Sequence, residues 1–112
     1  MSDSGLRLIF CTAPADAAPQ LARQLLEQRL IGCANLIPAV RSLYWWQGEI
    51  QDEGEVVMLM ECPAARESEA RAALQQAHPY EVPKILTLDP LAINAPYLDW
   101  LRQSCTPPPA ST

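Results

Sequence analysis

The sequence has a single histidine, four glycines and one phenylalanine in 112 residues. No Gly-rich stretch cradles a phosphate, which excludes the usual nucleotide-binding loops. No cluster of Lys and Arg is present either. Thirteen acidic against eight basic residues give a formal net charge of -5, so no nucleic-acid partner is expected and cations are the more natural guests. The longest apolar run falls far short of the ~20 residues of a membrane span. Met1–Leu8 has no hydrophobic stretch behind a basic start, so the expectation is no signal peptide, no anchor and a cytoplasmic location. The cysteines Cys11, Cys33, Cys62 and Cys105 are too far apart for a zinc knuckle and read as free thiols, most of them small core residues.

What is present is a chain 49% hydrophobic, enough for one domain with its own core over residues 1–105, followed by a disordered tail over 106–112, TPPPAST. The stretch from Cys33 to Cys62 dominates it. Two apolar runs flank the polar segment Gln47 to Glu55, which is the pattern of two antiparallel strands joined by a turn. The first arm runs about ten residues past Pro38, whereas a strand of a small domain is typically ~5–6 residues, so the tip should overhang. Tyr44, Trp45 and Trp46 lie on that overhang, where a second subunit is the natural cover.

Around the hairpin, Leu6 to Cys11 reads as a strand, and a helix follows with Asp16 as N-cap, Pro19 in its first turn and Gly32 as its stop. Pro63 opens a second helix that ends at His78-Pro79. Ile85 to Asp89 is a fourth strand, and Asn94-Ala95-Pro96 starts a last helix. The fold class is therefore α+β, a ferredoxin-like βαββαβ sandwich with an extended β-hairpin and a C-terminal helix, the strands in spatial order 4-1-3-2. The third strand is apolar on both faces, Val56, Met58 and Met60 against Val57 and Leu59, and one terminal helix is too little to cover the second face, which again favours self-association.

That topology brings the end of strand one, the hairpin and the start of strand four to one edge. Cys11 and Thr12 meet there with the loop His78-Pro79-Tyr80-Glu81-Val82-Pro83. Cys11 precedes a helix N-terminus, where the dipole lowers a thiol pKa, and a thiolate with a neutral imidazole suits copper or zinc. The commoner roles are a core cysteine and a histidine capping the last helical carbonyls. Glu49, Asp52, Glu53 and Glu55 read as a solvated hairpin tip that could attract a cation. Tyr44 to Trp46 read as interface packing, not as a platform for nucleic-acid bases. A Cys11 nucleophile with His78 as base would lack an orienting carboxylate and an oxyanion hole, so no catalysis is expected.

Taken in order, Cys11-Thr12-Ala13-Pro14, Cys33-Ala34-Asn35-Leu36-Ile37-Pro38, Ser42-Leu43-Tyr44-Trp45-Trp46-Gln47-Gly48, the His78–Pro83 loop and Tyr97-Leu98-Asp99-Trp100-Leu101 resemble the CutA family, named for divalent-cation tolerance, from about Leu8 to Leu101. The resemblance implies a compact homotrimer arranged like the PII signalling proteins. It also implies a link to copper or another divalent cation with Cys11 and His78 as ligands, and an inter-subunit cleft lined by Tyr44, Trp46, Tyr80 and Glu81, which could instead take a small molecule or partner protein. Some members carry a second histidine where this chain has Ala77. Many carry a lysine where it has Glu61, so a cleft that used that lysine for an anionic ligand would have lost its charge partner here.

Overall fold

The computed structural model describes residues 3–107, so most of the expected C-terminal tail lies outside the described residues. Strand β1 (Leu6–Ala13) leads to helix α1 (Ala18–Glu27), the hairpin strands β2 (Cys33–Trp46) and β3 (Glu49–Pro63), helix α2 (Glu67–Ala77), the short β4 (Ile85–Leu88) and helix α3 (Ala95–Ser104). The sheet order is β2-β3-β1-β4 with every neighbour antiparallel. This is the order 4-1-3-2 read from the other side.

The period-two pattern sorts the two faces of the sheet. Ile9, Cys11 and Ala13 of β1 and Val56, Met58, Met60 and Cys62 of β3 point under α1 and α2 and form the core with Leu21, Leu25, Ala70 and Leu74. On the other face α3 covers one corner only, where Leu101 is fully buried. Ile37, Leu86 and Leu88 on that face remain about half exposed.

The hairpin departs from the expected turn. Gln47 (φ 50°) and Gly48 (φ 81°) alone make the reversal, a two-residue turn with positive φ at both positions whose twist matches the right-handed twist of the strands, and β3 begins at Glu49. The polar segment from Glu49 is strand, because acidic residues are tolerated on an overhang where both faces meet solvent, and Glu55 stands at its buried base. Glu49 to Glu55 pair with β2 alone, since β1 ends opposite Val56. Seven residues at ~3.3 Å each give an overhang of roughly 23 Å. The radius of gyration is 15.3 Å, against about 13 Å for a compact chain of this size.

Three element ends also differ from expectation. The carbonyl of Pro14 receives the N–H groups of Ala17 and Ala18, so Ala17 and not Asp16 stands at the N-cap of α1. That helix ends before Gly32: Arg29 takes φ 60° and the Leu30 and Arg29 N–H groups reach back to Leu25 and Leu26, a Schellman closure on a non-glycine residue. Gly32 is instead a close approach, since a Cβ there would stand 2.6 Å from Leu101 Cδ1. Finally, a 3₁₀ turn over Ala64–Arg66 separates Pro63 from α2.

Candidate functional site

The end of β1, the overhanging hairpin and the loop before β4 enclose an open cleft of about 760 Å³. Tyr44, Trp46, Tyr80 and Glu81 all line it, together with Thr12, Arg41, Glu53, Glu55 and Lys84.

His78 builds the loop wall. It follows the last residue of α2 in extended conformation and is only 7% exposed. The Tyr80 N–H donates to His78 Nδ1 at 3.1 Å, so Nδ1 is the acceptor and the proton sits on Nε2, which donates to the Thr12 carbonyl at 2.8 Å. The ring also packs against Tyr80, centroids 4.8 Å apart. Tyr80 then donates its hydroxyl to Glu55 Oε2 at 2.8 Å. A chain of contacts thus runs from β1 through His78 and Tyr80 to the base of the hairpin.

Cys11 lies on the other side of β1, fully buried among core residues. Burial, with a smaller effect from the Glu55 charge, pushes its thiol up to about 12. This reverses the expectation from the helix dipole, because loss of water outweighs a partial charge at the helix end. A nucleophile or a thiolate ligand needs the opposite shift. In native protein, Cys11 and the similarly buried Cys62, also near 12, should resist iodoacetamide at pH 7.5 and react only on unfolding. Peptide mass mapping checks this, and rapid native modification of Cys11 would contradict the placement.

The pair Cys11 and His78 therefore does not stand ready as a metal centre. Burial disfavours the thiolate at Cys11, and both imidazole nitrogens are engaged. Among the described residues no three of His, Cys, Asp and Glu converge well enough to hold an ion. His78 is a tie between elements, closer to a cap than to a ligand.

The acidic residues of the hairpin do not all stand in solvent either. Asp52 is clasped by Arg41 through two hydrogen bonds of 2.8 and 2.6 Å, which hold its carboxyl below the usual range. Glu53 accepts from Tyr44 at 3.0 Å. Glu55 is buried, 7% exposed, at the cleft floor. Its importance escaped the sequence, where it was one of four similar charges; its one signal was its position beside Val56, where the hairpin enters the sheet. Burial, then the Glu55 hydrogen bond and charge, raise the Tyr80 pKa and keep the phenol a neutral donor.

Glu61 has its own partners within the chain. It pairs across the sheet with Cys33 and Leu8, far along β3 from the cleft, and accepts a hydrogen bond from the Tyr97 hydroxyl of α3. It fastens the terminal helix and is not among the residues that line the cleft within this chain. Ala77 is exposed at the end of α2.

Comparison with known proteins follows the same lines. Residues 7–104 match the family model of the CutA1 divalent ion tolerance protein. The divalent-cation tolerance protein CutA of Pectobacterium atrosepticum is 42% identical over 98 residues, 87% of this chain and 89% of its own. The crystal structure of divalent ion tolerance protein CutA1 from Ehrlichia chaffeensis superposes with a TM-score of 0.88 at 29% identity, covering 94% of this chain and 99% of that one. The periplasmic divalent cation tolerance protein CutA from Archaeoglobus fulgidus superposes at 0.85 with 28% identity, covering 90% and 99%.

Proposed function

The chain belongs to the CutA1 divalent ion tolerance family, and from that premise we propose a cytoplasmic homotrimer that takes part in tolerance of divalent metal ions, meets copper or another divalent cation weakly, and performs no catalysis of its own. The observation that carries the assembly is the overhang. Trp45 is 71% exposed on it, and the uncovered sheet face adds Ile37, Leu86 and Leu88. Such an apolar area on so small a chain favours burial between copies. No described helix is long and apolar enough to cross a membrane.

Weak cation binding follows from the donor set, since a coordinating chain must first free an imidazole nitrogen or deprotonate a core thiol. Light scattering is expected to give three times the chain mass, with Trp46→Ala shifting the protein toward smaller species. Copper and zinc titrations should show affinities too weak to survive dialysis against a chelator. A monodisperse monomer at micromolar concentration would end the assembly half of the proposal, and a tight stoichiometric ion would end the other.

The cleft favours a second reading, in which the trimer works as a PII-like effector-binding or scaffold protein and metal is one input among others. Its volume falls within the ~300–1,000 Å³ of small-molecule sites. Aromatic and charged groups converge on it, as such sites require.

A further inference from the structure

The charge on the cleft walls specifies more than a generic small molecule. Three carboxylates face it, Glu53, Glu55 and Glu81, and none is ion-paired among the described residues. Of the two basic residues of the lining only Arg41 is ion-paired among the described residues, so one ammonium stands against three carboxylates. Arg41 is clasped by Asp52, and the Lys84 Nζ sits 5.0 Å from the centroid of the Phe10 ring. Glu55 is the most telling of the acids. Its side chain is more than nine-tenths buried, Oε2 takes the Tyr80 hydroxyl, and among the described residues no donor reaches Oε1. No buried side-chain oxygen is left unpartnered, so Oε1 is open to the cleft it lines. A largely buried carboxylate that has one neutral donor on one oxygen and turns the other to the cleft leaves a place there for a cationic partner.

The rest of the wall decides which kind. Tyr44, Trp46 and Tyr80 offer aromatic surface around the same space, and aromatic faces attract a diffuse organic cation. A metal ion needs several convergent hard or soft donors, which the described residues do not supply. From this juxtaposition we propose that the cleft is a binding site for an organic cation, a primary ammonium or guanidinium on an apolar body, with Glu55 as its charge partner and the three aromatic rings as its walls. The inference rests on the reading of the cleft as a small-molecule site and names the ligand class for it.

Three probes of one shape and different charge test it: phenethylammonium, 2-phenylethanol and 3-phenylpropionate, titrated into the full-length protein at pH 7 and followed by calorimetry and amide NMR shifts. The ammonium should bind with shifts confined to 41–46, 51–55 and 79–84, roughly tenfold or more tighter than the alcohol, as a charge-assisted hydrogen bond to a buried carboxylate implies. Glu55→Gln, which keeps an acceptor for Tyr80, should remove that advantage and leave the alcohol unchanged. Glu81→Gln, at an exposed position, should weaken the ammonium in the same direction and guards against a folding artefact in the first variant. Equal binding of ammonium and alcohol, or no response to either variant, overturns the proposal. Preference for the carboxylate overturns the ligand class while the small-molecule reading survives, and silence from all three probes overturns both.

Discussion

Leu101→Ala is expected to lower the unfolding free energy by about 2–5 kcal/mol, the range for truncating a fully buried leucine, and to detach α3 from the sheet. Leu101 is the only buried residue of that helix and is wholly inaccessible. The helix is otherwise held by polar ties at its rim: Tyr97 to Glu61, Arg29 to the Ser104 carbonyl at 3.0 Å, and Arg66 to the Cys105 carbonyl at 3.1 Å. These are partly or fully exposed and each is worth about 1 kcal/mol or less once water competes. The absence of Cβ at Gly32 shows how closely the Leu101 side chain is seated. A urea melt at fixed protein concentration measures the loss, and amide exchange over 95–104 should rise before the core opens. A loss under about 1 kcal/mol would mean that the cavity refills and that the polar rim, not the leucine, holds α3.

The fold was legible because its elements are written in separate registers. Alternation in Leu6–Cys11 and Val56–Met60, the apolar stripe of α1 and the prolines at 14, 63, 79 and 96 each mark a boundary. Together they fix the βαββαβ order, and handedness does the rest. What escaped was local backbone choice. Arg29 and Gln47 adopt positive φ, which sequence assigns first to glycine, so the nearby Gly32 reads as a helix stop and the turn reads as wider than it is.

The site was legible as an address and not as chemistry. Topology alone brings Cys11, His78 and the hairpin to one edge. Which face a strand residue takes decides whether it is a ligand or core, and Cys11 alternates inward with Ile9 and Ala13. Glu55 differs from Glu53 only in standing next to the point where β1 ends. That two-residue difference turns a solvated charge into a buried one, and no composition or motif carries it.

His78→Ala separates the structural role of the histidine from a ligand role, with an effect second only to that at Leu101. The substitution removes the donor to the Thr12 carbonyl and the acceptor for the Tyr80 N–H. Each buried group left without a partner costs about 1–3 kcal/mol, less where water enters. It also removes the ring against Tyr80, so the Tyr80 hydroxyl should leave Glu55, the cleft wall should loosen, and exchange over 78–84 should quicken. Two conservative variants divide the effect. In His78→Gln the side-chain amide nitrogen stands near the position of Nε2 and should restore the tie to β1 and most of the stability. In His78→Asn the side-chain oxygen stands near Nδ1 and should restore the turn to Tyr80 and the order of the loop. Neither reproduces an imidazole ligand. Recovery of thermal stability in His78→Gln with unchanged weak copper binding therefore identifies the residue as a brace for the cleft. Full stability in His78→Ala with copper binding abolished would make it a ligand, and the hydrogen bonds described above incidental.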